Sequence, residues 1–173
     1  VALTIMNTNT AGLCGAIVVA IIMQIMYKKL DLTMILNGAL GGLVAVTAGP
    51  DLYDIYTPIL IGSVGGILVV IGVSFFDKLK IDDPVGALSV HLLNGIWGTV
   101  AVGLFASNGD DITLLGQLKG IIVVAIFAFV SSYIILYIIN KIMPLRAGND
   151  EEMQGLDVEE CGIEAYPEFK RAF

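Results

Sequence analysis

Polar positions divide this chain into five helix-length apolar runs, a pattern that predicts an all-α, polytopic membrane helical bundle. The runs cover about 2–27, 32–48, 58–76, 84–106 and 113–143, and together define a membrane domain over 1–145. The second is at the short end of what crosses hydrocarbon. The fifth is longer than a perpendicular helix needs, so it tilts or protrudes until Pro144 stops it. Pro58 suits the first turn of the third.

The fourth run carries the chemistry. Asp82, Asp83 and Pro84 form a strong helix start, because a carboxylate accepts orphan amide hydrogens and proline is tolerated in the first turn. From Val85 to Ala106, 22 residues carry no Lys, Arg, Asp or Glu. At about 1.5 Å per residue such a helix is about 33 Å long. Inside it sits His91, the one histidine of the protein. Helical spacing puts Asn94, Gly95 and Gly98 on the same face, which is expected to look at protein rather than lipid.

A deep histidine has two readings. One is a hydrogen-bonded core side chain or a ligand. The other, favoured because an ionisable group in hydrocarbon is costly, is a residue on a solute pathway or proton relay. Hydrocarbon disfavours imidazolium, so the ring is expected neutral, one nitrogen donating and the other accepting. A metal site is not expected, since no second histidine, cysteine pair or inward carboxylate accompanies it. No cofactor is implied. Asn94 and Trp97 could line a path, although bonding and packing between helices are the commoner uses. Asp82 and Asp83 are taken as cap and anchor, with Lys78 and Lys80 available as partners.

Composition supports the membrane reading: 57% of the 173 residues are hydrophobic and 14% charged, with a mean hydropathy of +0.88. The net charge of -7 is concentrated at the end, where 147–173 hold eight acids against Lys170 and Arg171. Cations mark one side. Lys28, Lys29, Lys78, Lys80, Lys141 and Arg146 fall on alternate connectors, whereas Asp51, Asp54, Asp110 and Asp111 occupy the others, with Lys119 just after the second of these. By the positive-inside rule the start of the chain lies outside and the acidic tail, 146–173, in the cytoplasm. Cys14 and Cys161 imply no disulfide framework. Val1 opens a run without a basic leader, so the chain reads as a fragment or processed product. No nucleotide loop, nucleophile with base, or basic aromatic patch appears; neither an enzyme nor a nucleic-acid partner is expected.

The small residues Gly38, Gly41, Gly42 and Ala45, with Gly62, Gly65 and Gly66, read first as close helix packing and second as room for a narrow conduit.

Three segments in order, NGALGGLVAVTAG, DDPVGALSVHLLNGIWGTVAVGLFA and GLDVEECGIEAY, resemble consecutive signatures of the ammonium transporter (Amt) family, over nearly the whole chain. The resemblance implies that the five spans are the last five of an eleven-helix fold working as a homotrimer with one pore per subunit. His91 matches the second of the family's two pore histidines and Ala87 a pore-wall position. The first histidine, the aromatic gate and the outer ammonium-recruiting residues belong in the family to the first six helices. Ammonium is implied to be recruited outside, to lose its proton near the entrance and to cross as ammonia. In the tail, Gly155, Asp157, Gly162 and Tyr166 match a cytoplasmic segment that docks on the neighbouring subunit and takes part in control by a P-II signalling protein; composition alone reads this tail as a solvated acidic end. Glu159 stands where plant relatives have a phosphorylatable threonine, and Cys161 where many members have histidine. Other readings on the same helices are an ammonium sensor or membrane scaffold, and an Rh-like channel for another small neutral solute such as carbon dioxide.

Overall fold

The computed structural model describes residues 1–107 and 112–167. Asp110, Asp111, Lys170 and Arg171 of the charge pattern lie outside the described residues. The described elements are helical: α1 (Ala2–Tyr27), α2 (Leu32–Val46), α3 (Thr57–Lys78), a π-helical turn (Ala87–Leu92) that runs into α4 (Leu93–Phe105), α5 (Leu114–Ile142), α6 (Asn149–Gln154) and α7 (Leu156–Cys161). Helix α1, helix α3, the segment Ala87–Phe105 and helix α5 are long and apolar enough to cross a membrane. Helix α2 has 15 residues, about 22 Å at 1.5 Å per residue, short of a hydrocarbon core of about 30 Å.

The chain divides into two compact units, Val1–Val124 and Ala125–Phe173. In the first, α1, α2 and α3 pack by backbone approach. A Cβ on Gly42 or Gly62 would overlap the carbonyl oxygen of Ala11, one on Gly15 that of Gly38, and one on Gly66 would come within 2.6 Å of the Gly15 oxygen. Helix α4 joins the same way, since a Cβ on Gly98 would strike the carbonyl of Ala45. These glycines are therefore filled by neighbouring backbone, and the conduit reading of the small-residue stripes falls to the packing reading.

Local chemistry sets the helix ends. Asp31 accepts the amide of Met34 at 3.0 Å and starts α2. Asp54 accepts the amides of Tyr56 (3.0 Å) and Thr57 (2.7 Å) ahead of α3, whose first turn contains Pro58. Those amides, Thr57 foremost, hold the Asp54 carboxyl below the usual carboxylate range. Between α2 and α3 the chain folds back: Asn7 Nδ2 on α1 donates to the carbonyls of Pro50 (2.8 Å) and Tyr53 (3.2 Å). The Ser107 amide donates to Leu52 O at 2.9 Å. Tyr53 is buried among Ala11, Ala45, Val46, Ile61, Ala101 and Val102, and burial pushes its phenol up to about 12.

In the second unit, α5 continues beyond Val124 with no buried residue along its whole length. Phe129, Tyr133 and Tyr137 stack along it at centroid distances of 6.4 and 6.5 Å, and Lys141 Nζ lies 5.4 Å from the Tyr137 ring centre. The acidic end is folded rather than featureless: α6 and α7 meet at Gly155, whose φ of 103° suits glycine.

Candidate functional site

The site begins where the fourth run departs from the expected helix. Pro84 does not open it. The Asp83–Gly86 stretch is a turn in which the Gly86 amide donates to Asp83 O at 3.3 Å, and Gly86 adopts φ 70°, a left-handed conformation that stops a right-handed helix from passing through. Helical structure starts at Ala87, and it starts wide. The His91 amide reaches back to Gly86 O at 3.1 Å and the Leu93 amide to Leu88 O, both five positions back, the spacing of a π turn.

This turn changes which way the histidine faces. Asn94, Gly98, Ala101 and Val102 form the buried stripe of α4. Extended backwards at about 100° per residue, that stripe would take in His91 and Ala87 and leave Ser89 opposite. The structure shows the reverse: Ser89 and Val90 are buried, Ala87 and His91 exposed. The expected shared face of His91, Asn94, Gly95 and Gly98 is thus split, because the π turn inserts the equivalent of one residue of rotation. Asn94 and Gly98 pack inward, His91 and Ala87 face out, and Gly95 has open space above its Cα.

The polar groups around this turn are closely matched. Asp83 accepts the amides of Leu88 (3.1 Å) and Ser89 (2.9 Å) and the Ser89 hydroxyl (2.8 Å). Partial burial raises its pKa, but the bonds from Ser89, Leu88 and Ala87 outweigh that and hold it below the usual carboxylate range. Ser89 in turn fits against Gly72 on α3, where a Cβ would stand 3.1 Å from the Ser89 Cα. Gly86 O receives the Val90 amide at 2.9 Å, and His91 Nδ1 lies 3.2 Å from it. A carbonyl can only accept, so in this contact Nδ1 is the donor. Among the described residues neither Lys78 nor Lys80 pairs with Asp82 or Asp83; the ion pair found there is Arg146 with Glu152 at 3.2 Å.

Asn94 and Trp97 do not share the histidine's open face. Asn94 is buried, its Nδ2 donating to Val90 O at 2.9 Å, and its Oδ1 lies where Cβ atoms on Gly65 would crowd it at 3.0 Å. Trp97 Nε1 donates to Ile61 O on α3 at 3.1 Å, with Phe105 edge-on at 6.5 Å. Trp97 thus bonds α4 to α3, whereas the hydrogen bond of Asn94 stays within its own helical segment. Two residues carry more than the sequence reading assigned them: Asn7, which pins the α2–α3 connection, and Ser89, which links Asp83 to the π turn. Gly86, two positions after Pro84, was the available turn signal.

The tail residues occupy one small folded segment. Gly155 and Gly162 hold the two positive-φ positions that end α6 and α7. Asp157 Oδ2 accepts the Ala165 amide at 2.8 Å, and its main-chain carbonyl accepts that of Ile163 at 3.2 Å. Tyr166 is exposed. Their spacing therefore has a local structural cause, whatever partner they meet.

Comparison with known proteins places this geometry. The profile of the Ammonium Transporter Family matches residues 1–166. Ammonium transporter Amt2 of Archaeoglobus fulgidus is 33% identical, over 94% of this chain and 38% of its own length. The ammonium transporter of Bacillus subtilis is also 33% identical, over 92% and 43%. Among solved structures, a Sensor Amt Protein superposes with a TM-score of 0.82 at 31% identity, over 92% of this chain and 42% of that one. Candida albicans Mep2 does so with 0.81 at 27%, over 98% and 43%. The chain thus spans less than half the length of these relatives.

Proposed function

This chain belongs to the ammonium transporter family, and we propose that it builds one part of a pore conducting ammonium or ammonia across the cytoplasmic membrane, with His91 and Ala87 on the pore wall. The observation that carries the reading is the turn itself. An imidazole inside an uncharged span is turned away from the buried stripe of α4 and is exposed, with its Nδ1 against Gly86 O. A stripe of buried glycines could have enclosed it; instead it is left uncovered by this chain. The uncovered side fits a wall completed by the portion of the relatives that this chain does not match.

The chemistry is consistent with passage of a neutral solute. Carrying a bare cation into a dry pore costs far more than carrying ammonia. A ring with one donor and one acceptor nitrogen can pass a small N–H donor along without trapping it as an ion pair. On this reading ammonium gives up its proton before it meets His91. On the same reading the chain crosses five times, with α2 as a short crossing, and the cation pattern supports a start outside and 146–173 in the cytoplasm. The exposed length of α5 suits lipid or neighbouring subunits of a homotrimer, and the folded tail around Gly155, Asp157, Gly162 and Tyr166 is a candidate surface for a P-II signalling protein.

The likeness to a Sensor Amt Protein favours one second reading, an ammonium sensor or membrane scaffold on the same helices. Uptake of labelled methylammonium by cells making the intact transporter, with and without His91→Ala, separates the two. Loss of one hydrogen-bond partner for a neutral polar solute is expected to lower uptake by about fivefold to tenfold. Uptake that His91→Ala leaves unchanged would remove His91 from the pore, and no uptake by a properly inserted parent would favour the sensor.

A further inference from the structure

We propose that Asp83 is a positioning residue for His91: its carboxylate clamps the π turn and so keeps the imidazole on the open face with Nδ1 against Gly86 O. The inference rests on the reading of His91 as a pore residue. It begins from a geometric problem. The α4 stripe of Asn94, Gly98, Ala101 and Val102, continued in α-helical register, would carry His91 and Ala87 against α2 and α3 and put Ser89 outside. Such a register would bury a ring that needs partners and expose a small hydroxyl. Something must hold the wider turn against that alternative, since a π turn is a rare and poorly self-stabilising arrangement.

Asp83 supplies the hold. It lies outside the turn, yet it satisfies the Leu88 and Ser89 amides, two of the first donors of the helix, and takes the Ser89 hydroxyl as well. The orphan amides at a helix start normally leave the first turn free to adjust. Here two of them are bound to one carboxylate, with Ser89 fixed between that carboxylate and Gly72 of α3. With Ser89 turned inward, His91 two residues later is forced outward. The left-handed Gly86 then brings its carbonyl within 3.2 Å of Nδ1, which selects the tautomer. Three residues therefore act in sequence: Asp83 holds Ser89, Ser89 sets the turn, and Gly86 receives the ring.

The test reads the ring directly. Nitrogen NMR of ring-labelled histidine in the intact transporter in bilayers, with the His91 signal identified by its loss in His91→Gln, reports the ratio of the Nδ1–H to the Nε2–H tautomer. Wild type is expected to favour Nδ1–H. Asp83→Ala should lower that ratio by about fivefold, the equivalent of one hydrogen bond, Asp83→Asn by less because it keeps one accepting oxygen, and Ser89→Ala least. Methylammonium uptake should fall in the same order. If Asp83→Ala fails to insert, Asp83→Asn and Ser89→Ala decide. Ring signals unchanged from wild type in both folded variants would overturn the positioning role, even if His91→Gln abolishes uptake. Unchanged uptake in His91→Gln would instead defeat the pore reading, while leaving the ring-signal order to stand or fall on its own.

Discussion

Each of the two units of this chain has its own kind of internal contact. In Val1–Val124 the decisive contacts join residues far apart in sequence: Asn7 to Pro50 and Tyr53, Trp97 to Ile61, and the backbone of Ala11 to that of Gly42 and Gly62. In Ala125–Phe173 the bonds that shape the segment are local. Leu145 N donates to Asn140 Oδ1, Gly148 N to Glu151 Oε2, and Ala165 N to Asp157 Oδ2, none spanning more than eight positions. Helices of similar apolar content thus behave differently according to where their small residues lie. Helices α1 to α3 carry glycine where another backbone passes; on α5, Gly120, still within the first unit, has nothing within 4 Å of where its Cβ would stand, and residues 125–142 of that helix hold no glycine at all. In a membrane, where lipid is as apolar as leucine, close approach of this kind is what makes one helix choose another.

The strongest test of that contrast is a matched pair of substitutions. Gly42→Leu places a side chain into the Ala11 carbonyl and is expected to cost about 3 kcal/mol, whereas Gly120→Leu should stay within about 0.5 kcal/mol. Denaturant unfolding of the purified protein in detergent measures both, and equal costs would break the comparison. Next in size is Asn7→Ala, which strands the Pro50 and Tyr53 carbonyls in the buried α2–α3 connection. It is expected to cost roughly 1–3 kcal/mol, seen in the same unfolding curves.

Acid should then loosen the first unit at a definite place. Asp54 is held below the usual carboxylate range by the Thr57 and Tyr56 amides. A depressed folded-state value means that its stabilising contribution is complete above the ordinary range and disappears as pH falls through the lowered value. Asp54→Asn should flatten that part of the stability profile. The smallest effect belongs to the second unit. Arg146 and Glu152 are largely solvent-exposed, with side chains 82% and 44% accessible, so Arg146→Ala should change stability by less than about 0.5 kcal/mol, and circular dichroism should show the helix content retained.

Much of this protein was legible in one dimension. Uncharged runs of helix length set where the helices are, because a backbone in hydrocarbon must bond to itself. Three ordered segments identified the family. Gly155 and Gly162 were marked only by the resemblance of the tail; the structure supplies their local cause, a positive φ at the ends of α6 and α7. What sequence periodicity could not supply was the facing of His91. An α-helical count groups it with Asn94 and Gly98, and a π turn is invisible to any fixed period. Its cause lies in a carboxylate six residues before Ser89 and in Gly72 on another helix, whose bare Cα makes room for that serine. Asn7 was equally silent, since its partners are carbonyls more than forty positions away. Composition and spacing by themselves determined that these helices form and that one of them carries a histidine. Tertiary structure alone decided which way that histidine looks, because orientation is settled by which neighbours satisfy the backbone at the start of the helix.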